Sequence, residues 1–399
     1  MLFYPSEIES KLEVDLVREQ IKEHCKSEAA KQRVDRARPL EKLEQLQTFL
    51  EQTEEMLRAI QGAEGLPVSG FQDIFPYLKK IGTNGSFLEA HQLAAVKQSL
   101  LTLYEWTQHF KKRQGEFQAL SKLTFGFIAD RALVEDIDAK VDEKGEVRDN
   151  ASPELRSIRN QILAAERQVR TVIHKVLDQS KKSEFTEEDG TVTIRDGRLV
   201  IPVKAEFKRK FAGFVHDESS TGQTVFMEPT QVLELNNQVR ELRYAEKREI
   251  IRILTELADR LRERRPDLEK GAEFLIRLDF IHAKAQFARS FDAVVPKIGG
   301  KGVMRVKGGR HPILWKRHKE AGKEVVPLDI DFSPDQRMVV ISGPNAGGKS
   351  VALKTVGILQ YMAQCGFPVT AKEDSLFGVY RNFFIDIGDS QSLENDLST

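Results

Sequence analysis

Residues 338–359 read MVVISGPNAGGKSVALKTVGIL. Met338, Val339, Val340 and Ile341 form a short apolar run with the pattern of a buried strand. Gly343 to Ser350 then reads G-P-N-A-G-G-K-S, which matches G-x-x-x-x-G-K-[ST] at every fixed position. Val351 to Met362 continues with helical spacing at Leu353, Val356, Ile358, Leu359 and Met362. Strand, glycine-rich turn and helix in that order is the context of a phosphate-binding loop. At average composition the four fixed positions coincide in about 1% of chains this long, so the match points to nucleotide binding rather than to a chance glycine turn.

The chemistry accounts for these residue types. Backbone N–H groups must turn inward onto phosphate oxygens, and Gly343, Gly347 and Gly348 leave the room and backbone freedom for that. The following helix adds the positive end of its dipole. Lys349 is placed to reach the β- and γ-phosphates of ATP, and the Ser350 hydroxyl to ligate Mg²⁺.

A chain of 399 residues exceeds one ordinary core and predicts two or three domains. Its 61 Lys and Arg residues balance 61 Asp and Glu, so nucleic-acid contact must be local rather than carried by net charge. Cys25 and Cys365, without metal-type spacing, predict a reduced, cytoplasmic protein. No signal-peptide pattern opens the chain, and no apolar run reaches membrane-spanning length, which argues against a membrane partner.

Working back from the loop, residues 1 to about 115 read as helices throughout. Ser6 to Cys25 carries Ile8, Leu12, Leu16, Val17 and Ile21 on one face; Leu40 to Leu57 and Phe87 to Phe110 repeat the pattern. Trp106 and Phe110 are read as core. Val141 to Val147 is a small hairpin around Lys144-Gly145. Ser152 then caps a helix with Pro153 at its first position. Its seam of Leu155, Ile158, Ile162, Ala165, Val169, Val172 and Val176 has heptad spacing. A matching seam runs from Val232, Leu235, Val239 and Leu242 to Ile250, Leu254, Leu257 and Leu261, with a charged break near Tyr244 to Glu249 and a stop at Pro266. Together the two predict an antiparallel coiled-coil arm.

The stretch between these seams reads as β. Thr191 to Arg195 and Arg198 to Val203 flank Asp196-Gly197, a strong hairpin signal. Phe207 to Val215 and Gln223 to Met227 are two further predicted strands. Lys204, Lys208, Arg209 and Lys210 cluster there as candidate contacts to a phosphate backbone, the other reading being a solubilising surface. After Pro266, Gly271 to Phe291 predicts a buried helix, and short strands are expected at Val303 to Val306 and Val325 to Ile330.

With GPNAGGKS standing after a heptad, β tip, heptad insert, the chain resembles the MutS family of ABC-type ATPases. The likeness is strongest to the second bacterial branch, MutS-II, which lacks the mismatch-reading N-terminal domains. It takes in IESKLEVDLVREQIKEHCKSEAAK, TIRDGRLVIPVKAEF, VHDESSTGQTVFMEP, Arg310-His311-Pro312, LKTVGILQYMAQCGFPV and DIGDSQSLENDLST. The resemblance implies a mainly α protein with an α/β P-loop domain of ABC type: a helical core and a long antiparallel coiled-coil lever carrying a β-rich clamp tip. The expected divisions are a first part of the core over 1–150, a lever helix over 151–182, the clamp tip over 183–229, a returning lever helix and core over 230–297, and part of the ATPase domain over 298–399. Gly343, Asn345, Gly347, Gly348, Lys349 and Ser350 would hold the triphosphate and Mg²⁺. Pro344 and Ala346 fill the loop between them, and Val351 supplies the next backbone N–H. A homodimer closing around nucleic acid is implied, and the role of His311 stays open.

The chain also departs from the family's pattern. Leu328-Asp329 stands where an Asn-Asp pair is usual. Thr399 falls inside what resembles the signature segment beginning at Ser398, before any Walker B Asp-Glu. The expectation is a fragment of a longer product or a degraded gene, with an uncovered apolar sheet edge and poor hydrolysis because nothing here activates water. Phe384-Ile385-Asp386 looks like a Walker B strand, but Ile387-Gly388-Asp389-Ser390 fits the family's middle motif instead, so no catalytic acid is assigned. Phe87-Leu88-Glu89 and Phe185-Thr186-Glu187 match the mismatch-reading Phe-x-Glu pattern and are read as incidental.

The expected function is ATP-dependent clamping of branched or damaged DNA in recombination control or repair. Two alternatives stand beside it: a ribosome-associated rescue or splitting ATPase that binds rRNA-containing particles, and a nucleic-acid-binding arm protein that does not hydrolyse ATP. An SMC-like ATPase is disfavoured, because there the P-loop precedes the coiled coil.

Overall fold

The computed structural model describes residues 1–62, 66, 71–300, 302–333, 335–336, 338–343 and 348–386. In chain order its elements begin with β1 (Leu2–Tyr4), α1 (Ile8–Lys11), α2 (Val14–Lys22), α3 (Glu28–Arg36), α4 (Leu43–Gln61), α5 (Phe75–Lys80), α6 (Ala90–Lys112), α7 (Gln118–Ser121) and α8 (Arg131–Lys140). Next come α9 (Pro153–Lys182), β2 (Thr193–Arg195), β3 (Arg198–Lys204), β4 (Gly213–Glu218), β5 (Thr224–Pro229), α10 (Thr230–Glu263) and α11 (Arg265–Ser290). The last are β6 (Lys297–Ile298), β7 (Met304–Gly309), α12 (Pro312–Glu320), β8 (Leu328–Phe332), α13 (Lys349–Gln364), β9 (Leu376–Phe377) and β10 (Asn382–Phe384). The chain is mainly helical with small sheets. Among the described residues no helix is long and apolar enough to cross a membrane.

Two compact units form, one from Met1–Leu78, Gln98–Arg131 and Arg264–Thr399, the other from Lys79–Lys97 and Ala132–Glu263. The first unit holds two apolar clusters. Ile8, Leu12, Val17, Ile21, Phe287, Tyr361, Met362 and Phe367 build one; Trp106, Phe110, Phe117, Phe274, Leu278 and Ile281 build the other. Helix α11 contributes to both clusters, which explains why apolar residues surround it rather than forming a stripe. Its sheet has the order β6-β9-β7-β8, and β1 separately pairs parallel with β10, Leu2 facing Asn382.

In the second unit α9 and α10 pack antiparallel, bridged by Arg159 Nε to Glu246 Oε1 at 2.8 Å and Ser152 Oγ to Glu249 Oε1 at 2.6 Å. Ser152 Oγ also accepts from Leu155 N at 3.0 Å, the expected cap. The four-stranded sheet β2-β3-β5-β4 lies between the two helices in sequence, and Asp196 and Gly197 turn its first hairpin at φ 49° and 73°. The Val141 to Val147 hairpin forms as a single antiparallel bridge.

Several sequence expectations shift. The helix predicted from Ser6 to Cys25 breaks at Glu13, whose φ is 60°, and the start of the chain is a strand rather than helix. Val325 to Ile330 moves to Leu328–Phe332, because Pro327 cannot donate to a ladder and the strand begins after it. Phe207 to Val215 is not one strand: Ala205–Phe207 is a 3₁₀ turn, and β4 starts at Gly213. An added Cβ at Gly213 would lie 2.6 Å from the Glu228 carbonyl oxygen, so glycine is required where β4 and β5 meet. The α9 seam passes through Ile173, not Val172, where the helix turns its buried face to Ile201, Val225 and Met227; a straight helix drifts about 20° per heptad. The strand predicted at Met338 to Ile341 does not form, and Met338 and Val340 are 83% and 81% exposed. Such a strand needs ladder partners and cover on both faces, and among the described residues none pairs with it.

One buried cation adds a cost to the first unit. Lys284 on α11 is 1% exposed, donates to the Gly366 carbonyl at 3.0 Å, and lies 4.9 Å from the Phe280 ring centre. Desolvation drives its pKa from 10.5 down to about 7. Between pH 7 and 10.5 the unfolded chain therefore binds more protons at this lysine, so its contribution to stability rises with pH. Burial also lifts the Cys25 and Cys365 thiols, Cys25 to about 12, which lowers stability above about pH 9. The clean window is pH 7 to 9. Lys284→Met is expected to gain about 1–3 kcal/mol at pH 7, and that advantage should shrink as pH rises to 9. Denaturant unfolding of both proteins across the window checks this; a constant difference would mean Lys284 does not titrate there.

Candidate functional site

Helix α13 opens at Gly348, which holds φ 77°, makes no side-chain cap, and among the described residues has no atom within 4 Å of where a Cβ would stand. The first-turn N–H groups of α13 thus lack a side-chain acceptor at the N-cap, the arrangement that suits an anion. Lys349 Nζ donates back to the Gly343 carbonyl, and Lys349, Ser350 and Val351 are half-buried. Pro344, Asn345, Ala346 and Gly347 lie outside the described residues, as do Ile387 to Thr399.

The rest of α13 is fixed by polar ties that the sequence did not announce. Gln360 Nε2 donates to the Gly378 carbonyl at 2.8 Å, and Gln364 Nε2 to those of Leu40 and Tyr380 at 3.0 and 2.9 Å. Lys354 Nζ reaches Glu13 Oε1 at 3.3 Å, a glutamate whose own backbone is left-handed at φ 60°. Tyr361 Oη donates to Glu9, which also receives Arg18 Nη1 at 2.7 Å and Nη2 at 2.8 Å. Burial would raise the Glu9 carboxyl, but these hydrogen bonds and the charges of Arg18 and Arg38 outweigh it and hold it below the usual range. Lys349 therefore projects from a helix whose far end cannot shift without breaking this network.

Around it, Asp329 Oδ1 accepts from Gly308 N at 2.6 Å, so the aspartate of Leu328-Asp329 braces the β7 turn. His311 is 1% exposed and neither ring nitrogen has a partner among the described residues. Burial, then the Lys354 and Arg317 charges, push its pKa down to about 3, which leaves a neutral ring. On the other side of α13, Leu353, Val356, Val339, Ile341 and Phe383 line an open groove of about 700 Å³. Among the described residues no group of three or more His, Cys, Asp or Glu side chains could hold a metal ion.

The candidate nucleic-acid residues lie in the second unit, on and after β3. Lys204 pairs with Glu187 at 3.3 Å and Lys208 with Glu218 at 2.7 Å. Arg209 and Lys210 are exposed, Lys210 lying 5.6 Å from the Phe207 ring centre. Residues 183–229 carry nine Asp and Glu against six Lys and Arg, so the positive cluster is a local patch. At the other end of β5, toward α10, sits a fully buried carboxylate that sequence reading missed. Glu228 accepts from Arg198 Nη1 at 2.7 and 2.9 Å and from Asn236 Nδ2 at 2.8 Å, and His216 Nε2 lies 2.7 Å away. This ties β3, β4, β5 and the start of α10 at one point. Removing the carboxylate strands Arg198, so Glu228→Ala is expected to cost about 3–5 kcal/mol, and Glu228→Gln less. Urea unfolding read by circular dichroism checks this; unchanged midpoints would show that the hub is dispensable.

No family model matches the chain. It is 37% identical over 390 residues to the Endonuclease MutS2 of Geobacillus thermodenitrificans, across 97% of this chain and 49% of that protein. It is 36% identical over 395 residues to the Endonuclease MutS2 of Halalkalibacterium halodurans, across 97% of this chain and 49% of that protein. For the Endonuclease MutS2 of Pelotomaculum thermopropionicum the match is 37% over 389 residues, 98% of this chain and 48% of that protein. The chain thus spans about half the length of the curated relatives it matches.

Proposed function

We propose that this chain belongs to the second bacterial branch of the MutS family and supplies the nucleotide-binding loop and clamp arm of an ATP-gated nucleic-acid clamp acting on branched or damaged DNA. The observation that carries this reading is Gly348-Lys349-Ser350 opening α13 without a side-chain cap, in a chain aligned over 97% of its length with proteins named Endonuclease MutS2. The donor set fits ATP and Mg²⁺. Lys349 carries the positive charge, Gly348 leaves room for phosphate oxygens, and the Ser350 hydroxyl is the metal ligand. When bound, Mg²⁺ supplies charge neutralisation across the phosphates. On this reading Lys349 exchanges its bond to the Gly343 carbonyl for one to phosphate, and the α13 dipole adds to that attraction.

The helix pair α9 and α10 is the lever in this proposal and the β2 to β5 sheet its clamp tip. Arg209 and Lys210 touch the phosphate backbone, Lys208 and Lys204 joining once they leave Glu218 and Glu187. Such contacts grip without reading sequence, which suits recognition of shape.

Two expected outcomes test the two halves separately. Lys349→Ala should abolish ATP binding, measured by titration calorimetry, while leaving nucleic-acid affinity intact; retained ATP affinity would remove the loop assignment. Reversing Lys208, Arg209 and Lys210 to Glu should weaken binding to a four-way junction and lower its salt dependence by about 0.9 per lost phosphate contact. Identical salt slopes for parent and variant would place the contact elsewhere.

A further inference from the structure

The first unit contains a second concave site, of about 530 Å³, which includes Cys365 at the opposite end of α13 from Lys349. Arg33, Arg36 and Arg38 line it, and Phe49, Phe280 and Cys365 contribute apolar surface. The three arginines are not equivalent. Arg33 pairs with Glu273, which also lines the cavity, and Arg38 reaches Glu9 at 3.4 Å and the Asp35 and Ala37 carbonyls at 2.7 and 2.9 Å. Arg36 has no ion pair or hydrogen bond among the described residues, and its side chain is exposed.

The apolar wall has its own electrostatic character. Phe49 and Phe280 are only partly buried, and Lys284 Nζ lies against both rings, 6.0 and 4.9 Å from their centres. Two aromatic rings beside the unpaired Arg36 guanidinium, with Arg33 and Arg38 close by, make a cavity that offers apolar ring surface and a bidentate anion donor together. Phe280 also packs against Phe367 and Phe49 against Gly366, so the rings are held in place by the core while lining the cavity. Pockets of this volume accommodate ligands of small-molecule size.

We propose that this cavity binds a small phosphorylated aromatic ligand of mononucleotide class, its base against Phe49 and Phe280 and its phosphate on Arg36, with Arg33 joining as it leaves Glu273. A bare anion would leave the aromatic wall unused, and an apolar molecule would leave Arg36 unpaired. The size also exceeds what inorganic phosphate needs.

The test uses the full chain carrying Lys349→Ala, so that the loop at α13 does not contribute, and AMP, phenyl phosphate and inorganic phosphate as probes in calorimetry. AMP should bind saturably, phenyl phosphate more weakly, and inorganic phosphate at least tenfold more weakly than AMP. Arg36→Glu should lower AMP affinity at least tenfold with an unchanged melting temperature, and Arg36→Lys should give an intermediate loss because it keeps charge without the planar fork. No saturable AMP binding, inorganic phosphate binding as tightly as AMP, or Arg36→Glu without effect would each overturn the proposal. ATP binding by the chain with Lys349 intact is measured alongside, so loss of one site is distinguished from loss of the other.

Discussion

A helix whose N-terminus has no side-chain cap must have the lost capping energy compensated along its length. Helix α13 meets this constraint by immersion. From Ile358 to Gln364 every residue is buried, and the polar ones among them, Gln360, Tyr361 and Gln364, are hydrogen-bonded into the surrounding backbone or to Glu9. The apolar partners come from opposite ends of the chain, Leu12 and Ile21 on one side, Phe367 and Phe377 on the other. The start of the chain is thus part of the platform for the loop, and Glu9, Arg18 and Tyr361 form its polar lock.

The second unit solves a different problem with similar means. Two helices of 30 and 34 residues pack with few large apolar groups in the middle of α10, where Glu241 to Arg248 has no buried residue. Charge pairs set the register there, Arg159 with Glu246 and Arg243 with Glu166. Such exposed or half-exposed pairs add little stability individually, but like-charge contacts in a slipped register would be unfavourable, so they specify alignment. Glu228 plays the corresponding role where the sheet meets α10, at a site dry enough for each bond to matter.

Much of this was legible because it depends on local pattern. Ser152 with Pro153, the Asp196-Gly197 turn and the alternation of Leu155, Ile158 and Ile162 each act over a few residues. Trp106 and Phe110 read correctly as core for the same reason, since they fall on the apolar face of α6. What escaped reading is long-range. Glu9 and Tyr361 are 352 residues apart, and nothing near either names the other. Lys284 looks like a surface lysine until α11 is seen buried around it. The positive cluster at Lys204 to Lys210 was judged by its neighbours in sequence, whereas Glu187 and Glu218 approach it only once the sheet has folded.

The run at Met338 to Ile341 shows where local pattern ends and tertiary pairing begins. Met338 and Val340 point to solvent while Val339 and Ile341 line the groove beside Leu353 and Val356. That alternation has the period of two that belongs to a half-buried strand, yet no ladder forms. Partial shielding on one face is therefore sufficient to orient the run and insufficient to make it a strand, because a β ladder is a property of two segments rather than of one. The sequence chemistry of a strand is present at these four residues. Hydrogen-bonded neighbours, with cover for Met338, Val340 and the exposed side of Leu353, are what would convert it, and the apolar groove about 700 Å³ in volume has the composition that such neighbours would bury.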